Sequence, residues 1–128
     1  MKAKINLITI LTNDITRMTQ FYRDVIGFTV SGESPNNVEF ESEGVRFAIC
    51  SREIMSEITG NHYSFLEEKK GQSFELAFPC DSPEDVEKTY KGLIGKGATT
   101  IKAPAQMPWG QTTAFFADPD GNIHEIFC

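Results

Sequence analysis

The chain carries one pattern twice, and this repeat constrains its fold more than any composition figure. Tyr22-Arg23-Asp24-Val25-Ile26-Gly27 is echoed by Tyr90-Lys91-Gly92-Leu93-Ile94-Gly95, 68 residues later. Glu41-Ser42-Glu43-Gly44-Val45-Arg46-Phe47-Ala48-Ile49-Cys50 aligns with Asp118-Pro119-Asp120-Gly121-Asn122-Ile123-His124-Glu125-Ile126-Phe127, 77 residues later. Each stretch of the second pair has an acidic turn, a glycine at the same place and then a short apolar strand. Such a repeat implies two copies of one supersecondary unit packed against each other. The copies differ at Ala48 and Glu125, and function is expected where they differ.

Local signals give each copy the order β-α-β-β-β. Residues 5–12 are β-branched and apolar without a helical period, which predicts a strand. Asp14 is placed to cap a helix reaching Ile26, with Ile15, Met18, Phe21, Tyr22, Val25 and Ile26 on one apolar face and Gly27 as its stop. Strands are predicted near 28–33, 37–42 and 45–51. In the second copy, strand 73–80 leads to Asp81-Ser82-Pro83-Glu84, where proline suits the first helical turn. That helix buries Val86, Tyr90, Leu93 and Ile94 and ends at Gly95 or Gly97. Strands near 98–102, 111–117 and 122–127 follow, the last two joined by the tight turn Asp118-Pro119-Asp120-Gly121. The expectation is a single α+β domain over 1–128: module one about 4–51, a connector about 52–71, and module two about 72–128.

Composition removes several classes. At 128 residues the chain can bury about two thirds of its unfolded surface. Its net charge of −6 disfavours nucleic acid, which needs a basic face, and mildly favours a cationic ligand. No apolar run approaches the roughly 20 residues that cross a bilayer. The stretch Met1-Lys2-Ala3-Lys4-Ile5 has no apolar signal region. Cys50, Cys80 and Cys128 are scattered, with no Cys-x-x-Cys pair, and read as reduced thiols. A cytoplasmic protein is expected.

Asp14…Phe21-Tyr22-Arg23-Asp24-Val25-Ile26-Gly27-Phe28, taken with Trp109-Gly110…Asp118-Pro119-Asp120-Gly121-Asn122…Glu125, resembles the vicinal oxygen chelate superfamily. That group includes glyoxalase I, extradiol dioxygenases, bleomycin-resistance proteins and fosfomycin-resistance proteins. The resemblance spans the whole chain. It implies two βαβββ modules whose sheets curl into a mixed sheet around an open cleft, usually in a homodimer. It does not fix the chemistry, since one fold hosts many activities.

Metal-dependent members of the superfamily place His or Glu on the first and last strands of each module. The matching positions here are Leu7 or Asn6, Ala48, Glu75 or Phe74, and Glu125. Alternation along a strand puts Phe74, Leu76 and Phe78 on one face and Glu75 on the other, and likewise separates His124 from Glu125. No histidine then stands at a ligand position, and His62 lies in the connector. The sequence therefore reads as metal-free, the alternative being a divalent ion held by Glu125 and Glu75.

A cleft with Glu75 and Glu125 would raise both carboxyl pKa values by burial and mutual repulsion, which a cationic ligand relieves. Trp109, in a loop expected at the cleft mouth, could stack on a planar or cationic group. Asn6, Phe47 and Phe115, with Phe40 and Tyr63, complete the expected wall. The ligand-binding set is therefore Glu75, Glu125, Trp109, Asn6, Phe47 and Phe115. The bland readings stand beside it: Glu75 as a solvated strand residue, Trp109 as packing under a loop. The functional expectation is a small-molecule binding protein holding an aromatic or cationic metabolite or antibiotic. The alternatives are a divergent metal-dependent lyase or dioxygenase using Glu125, and a metal-free isomerase.

Overall fold

The β-branched run Leu7–Thr12 forms strand β1, and Asp14 caps the helix that follows by accepting the Arg17 N–H at 3.0 Å. The computed structural model describes residues 1–128, which divide into two compact units, Met1–Lys69 and Lys70–Cys128.

In the first unit helix α1 (Ile15–Gln20) passes without a break into a π-helical turn, Phe21–Ile26. The wider turn gathers two bonds on the Tyr22 carbonyl, from the Gly27 N–H at 3.1 Å and the Phe28 N–H at 2.9 Å. Gly27 closes it at φ +102°, a left-handed conformation that glycine adopts without penalty. Strands β2 (Val30–Ser34), β3 (Asn37–Phe40) and β4 (Arg46–Ser51) complete a four-stranded mixed sheet in the order β1-β4-β3-β2, with β1 and β4 parallel. A bulge between Val30 and Gly32 breaks the register of the outer strand β2.

The connector, unpatterned in sequence, is ordered by local caps. Ser51 caps α2 (Arg52–Ile58) through the Ile54 N–H. Arg52 then donates to the carbonyls of Phe65, Ser64 and Glu67, fixing the short 3₁₀ turn Tyr63–Phe65 and the segment after it.

The second unit repeats the plan: β5 (Ala77–Pro79), α3 (Pro83–Gly95), β6 (Thr99–Gln106), β7 (Thr112–Ala117) and β8 (Ile123–Phe127), in sheet order β5-β8-β7-β6. Again the first and last strands pair in parallel. Ser82 caps α3, with Pro83 at its start. The outer strand β6 carries two register shifts, on either side of Lys102. Strand β5 is shorter than the 73–80 run suggested: ahead of Leu76, which keeps one backbone bond to Glu125, side chains hold its approach, as described below.

The two registers coincide residue by residue. Ala48 lies between Thr9 and Glu39, and Glu125 between Ala77 and Phe115. Gly44 and Gly121 share φ values of +80° and +79° in the turns leading to β4 and β8. The repeat seen in sequence is therefore a repeat of backbone conformation.

Each sheet packs one face on its helix. In the first unit Met18, Tyr22, Val38, Phe40, Phe47 and Ile49 are buried there. This corrects the placement of Phe47 and Phe40 in a ligand wall. Phe47 stands 5.2 Å from both the Tyr22 and the Phe28 rings and 5.5 Å from Phe40, centroid to centroid, inside an aromatic core. Since Phe47 faces the helix, its neighbour Ala48 faces away.

Candidate functional site

The faces turned away from the helices differ between the two units. On the first, Arg46 grips Glu39 with two bonds, Nε–Oε1 at 2.6 Å and Nη2–Oε2 at 2.8 Å. By the matched registers Arg46 corresponds to Ile123, and Glu39 to Phe115. The first face therefore spends its charge on itself. The second has apolar groups at the same places and two carboxylates beside them.

On the second unit Glu125 sits opposite Ala77 on β5 and Phe115 on β7. Cross-strand partners share a face. Extending the parallel β5–β8 register by two residues brings Glu75 level with Ile123, on the face of Glu125. Gln72, Ser73, Phe74, Glu75, Phe115 and Ile123 line a hollow of about 480 Å³. Burial, and then the nearby Glu75 carboxylate, push the Glu125 carboxyl above its ordinary value.

Two side chains build the approach to β5. Gln72 donates to the Gly121 carbonyl at 2.7 Å and accepts the Ile123 N–H at 3.1 Å, tying the start of module two to the β7–β8 turn. His124, fully buried beside Phe74, Phe78 and Phe116, accepts the Leu76 N–H on Nδ1 at 3.3 Å. Its Nε2 lies 3.5 Å from Asp118 Oδ2. Leu76 in turn accepts the Glu125 N–H at 2.9 Å. His124 thus clamps the segment that leads from Glu75 into β5 while pointing away from Glu125, as alternation predicts.

The motif Asp118-Pro119-Asp120-Gly121-Asn122 is structural. Asp118 Oδ1 accepts the N–H groups of Asp120 and Asn122, and Oδ2 accepts Asn122 Nδ2 at 2.7 Å. Both Asp118 and Asn122 are buried. The motif shapes the turn that launches β8 and so aims Glu125.

Other expected site residues lie elsewhere. Asn6 stands exposed ahead of β1, where its carbonyl accepts the Arg46 N–H, and Leu7 is the residue aligned with Glu75. Trp109 is at the β6–β7 hairpin tip, 68% exposed, its indole N–H donating to Gln111 Oε1 at 2.9 Å. It does not line the hollow. Tyr63 is exposed in the first unit, its ring stacked on His62 at 4.9 Å. The thiols of Cys50 and Cys80 are pushed up by burial, which disfavours the reactive thiolate. Gln72, Ser73 and Ile123 were not singled out from sequence; for Gln72 the partners are 49 and 51 residues away, beyond any local pattern.

The donor set does not fit a divalent metal centre of the kind the family's enzymes use. The one histidine near Glu125 is turned into the core with both ring nitrogens engaged. No group of three or more His, Cys, Asp or Glu side chains is gathered to hold an ion. Two carboxylates alone are a poor set for a borderline transition metal.

The Glu75–Glu125 proximity has a measurable consequence. Glu75→Gln should lower the Glu125 titration midpoint, read by carbon-13 NMR of the carboxyl. An unchanged midpoint would mean the two groups do not interact. Because the folded-state pKa of Glu125 is raised, its stabilising contribution is complete below the unfolded-state value and is lost as pH rises through the folded one. Glu125→Gln should flatten that part of the stability profile.

Comparison with known proteins gives the same family that the motifs resemble. Residues 4–126 match the family profile of the Glyoxalase/Bleomycin resistance protein/Dioxygenase superfamily. The chain is 34% identical over 128 residues to the uncharacterized protein YraH of Bacillus subtilis strain 168, covering 97% of each. Its fold matches a glyoxalase/bleomycin resistance protein/dioxygenase family enzyme from Burkholderia phytofirmans PsJN at TM-score 0.86 and 30% identity, over 98% of both chains. A lactoylglutathione lyase from Agrobacterium tumefaciens shares the fold at TM-score 0.76 and 19% identity, over 98% of this chain and 93% of that one. No helix is long and apolar enough to cross a membrane. The chain belongs to the glyoxalase/bleomycin resistance protein/dioxygenase superfamily.

Proposed function

We propose that this protein is a metal-free, small-molecule binding member of its superfamily, and that its ligand is an aromatic or otherwise apolar amine. The observation that carries the reading is Glu75 on a hollow it shares with Phe115 and Ile123, with Glu125 beside it, paired with Phe115 across the sheet and within reach of the Glu75 charge. Two carboxylates raise the cost of ionising one another, and a cation bound between them removes that cost. The aromatic floor supplies apolar contact and a negative ring face for the same cation. A metal-dependent lyase or dioxygenase is less well supported, because the carboxylates lack a third donor.

Benzylamine, compared with benzyl alcohol, tests the reading. Titrated into nitrogen-15-labelled protein near 0.15 M salt, where long-range attraction is screened, benzylamine should give saturable shifts at Phe115, Ile123 and Glu125. Glu125→Gln should weaken it by up to about fivefold, the range of a partly exposed ion pair. Equal binding of the alcohol, or shifts confined to other residues, would sink the proposal.

A further inference from the structure

The rung that carries Glu125 continues across the whole second sheet. Ala77 pairs with Glu125, Glu125 with Phe115, and Phe115 with Lys102. Direct cross-strand partners present their side chains on one face. A carboxylate, an aromatic ring and an ammonium therefore stand in line on the face that holds the hollow, with the methyl group of Ala77 leaving the acidic end open.

Adjacent strands are about 4.8 Å apart, so the backbones of Glu125 and Lys102 are separated by about 10 Å with Phe115 between them. The two side chains make no ion pair with each other, unlike Arg46 and Glu39 on the first unit. Lys102 is exposed and makes no ion pair; its ammonium donates to the Met107 thioether, a weak acceptor, at 4.0 Å. The bulges on both sides of Lys102 allow this exposed strand to bring a lysine onto the rung.

We propose that Lys102 is the anion-recognising end of the site, and that the ligand class is zwitterionic: an amine and a carboxylate separated by a flat apolar body. The amine meets Glu125 and Glu75, the body lies over Phe115, and the carboxylate reaches Lys102. The proposal rests on the reading of Glu75 and Glu125 given above and adds the second charge.

Benzylamine and 4-(aminomethyl)phenylacetate differ by the carboxylate arm and separate the two ideas. Binding of each is followed by amide shifts in wild type and in Lys102→Met, whose spectrum also reports that the fold is kept. In wild type the zwitterion should bind about threefold to fivefold more tightly, the scale of one exposed ion pair. In Lys102→Met the ratio should fall to about one. Equal affinities in wild type, or a preference that survives Lys102→Met, would overturn the zwitterion proposal while leaving the amine site standing. Lys102 would then be an edge-strand charge that discourages strand pairing. If neither compound binds, the amine site itself is wrong, and the proposal falls with it.

Discussion

Tyr22→Ala is expected to lower the stability of the protein by about 3–5 kcal/mol, the usual cost of truncating a fully buried aromatic side chain. Tyr22 is 0% exposed and is the hub of the first unit's core. Its ring lies 5.2 Å from Phe47, 5.5 Å from Phe21, 6.2 Å from Phe40 and 6.4 Å from Phe28. Removing it deletes edge-to-face and tilted contacts as well as transfer energy, and the surrounding rings are too rigid to refill the space. Since domains retain only about 5–15 kcal/mol of net stability, a loss of this size consumes much of it. Urea denaturation gives the check: a lower midpoint with an unchanged slope. A loss below about 1 kcal/mol would mean that the ring cluster is not a cooperative core.

Asp118→Ala is expected to cost about 3 kcal/mol or more, for a different reason. The carboxylate accepts from two backbone N–H groups and from the Asn122 side chain, and Asp118 and Asn122 are buried although Asp120 is exposed. Removing it strands the two Asn122 donors, which water cannot readily reach, each costing about 1–3 kcal/mol. Asp118→Asn, which keeps an oxygen acceptor, should cost less. Denaturation of the two variants tests the ranking, and hydrogen exchange at the Asn122 amide should accelerate in Asp118→Ala. If alanine proves as benign as asparagine, the turn is held by something other than this carboxylate.

Much of the scaffold was legible because its signals are local. Asp14, Gly27, Ser82 and Pro83 mark helix ends through their own backbone chemistry. The repeat aligned Ala48 with Glu125, and the strand pairings bear that alignment out. Alternation separated Glu125 from His124 in β8, where burial alternates along the strand and His124 is in the core, whereas Phe74 and Glu75, ahead of β5, both line the hollow.

The same rule gives no answer in Arg46-Phe47-Ala48-Ile49-Cys50, where four consecutive apolar residues are all buried. An apolar run without a period cannot say which side faces the helix, and Phe47 was assigned to the wrong one. Lys102 was hidden for another reason. Its position on the Glu125 rung depends on bulges that shift β6 against β7, and a bulge leaves no unambiguous mark in a sequence. Trp109 drew attention as the sole tryptophan, but a hairpin tip holds it away from the hollow's lining.

The bulges also bear on how copies of this chain meet one another. The outer strands β2 and β6 are both interrupted, at Val30–Gly32 and around Lys102. An interrupted strand does not offer a straight row of free N–H and C=O groups for another chain to continue. Growth of either sheet from molecule to molecule is therefore disfavoured at these borders, which protects against fibre-like stacking. Any stable assembly of this protein is accordingly expected to form through side-chain surfaces and not by lengthening its sheets at β2 or β6.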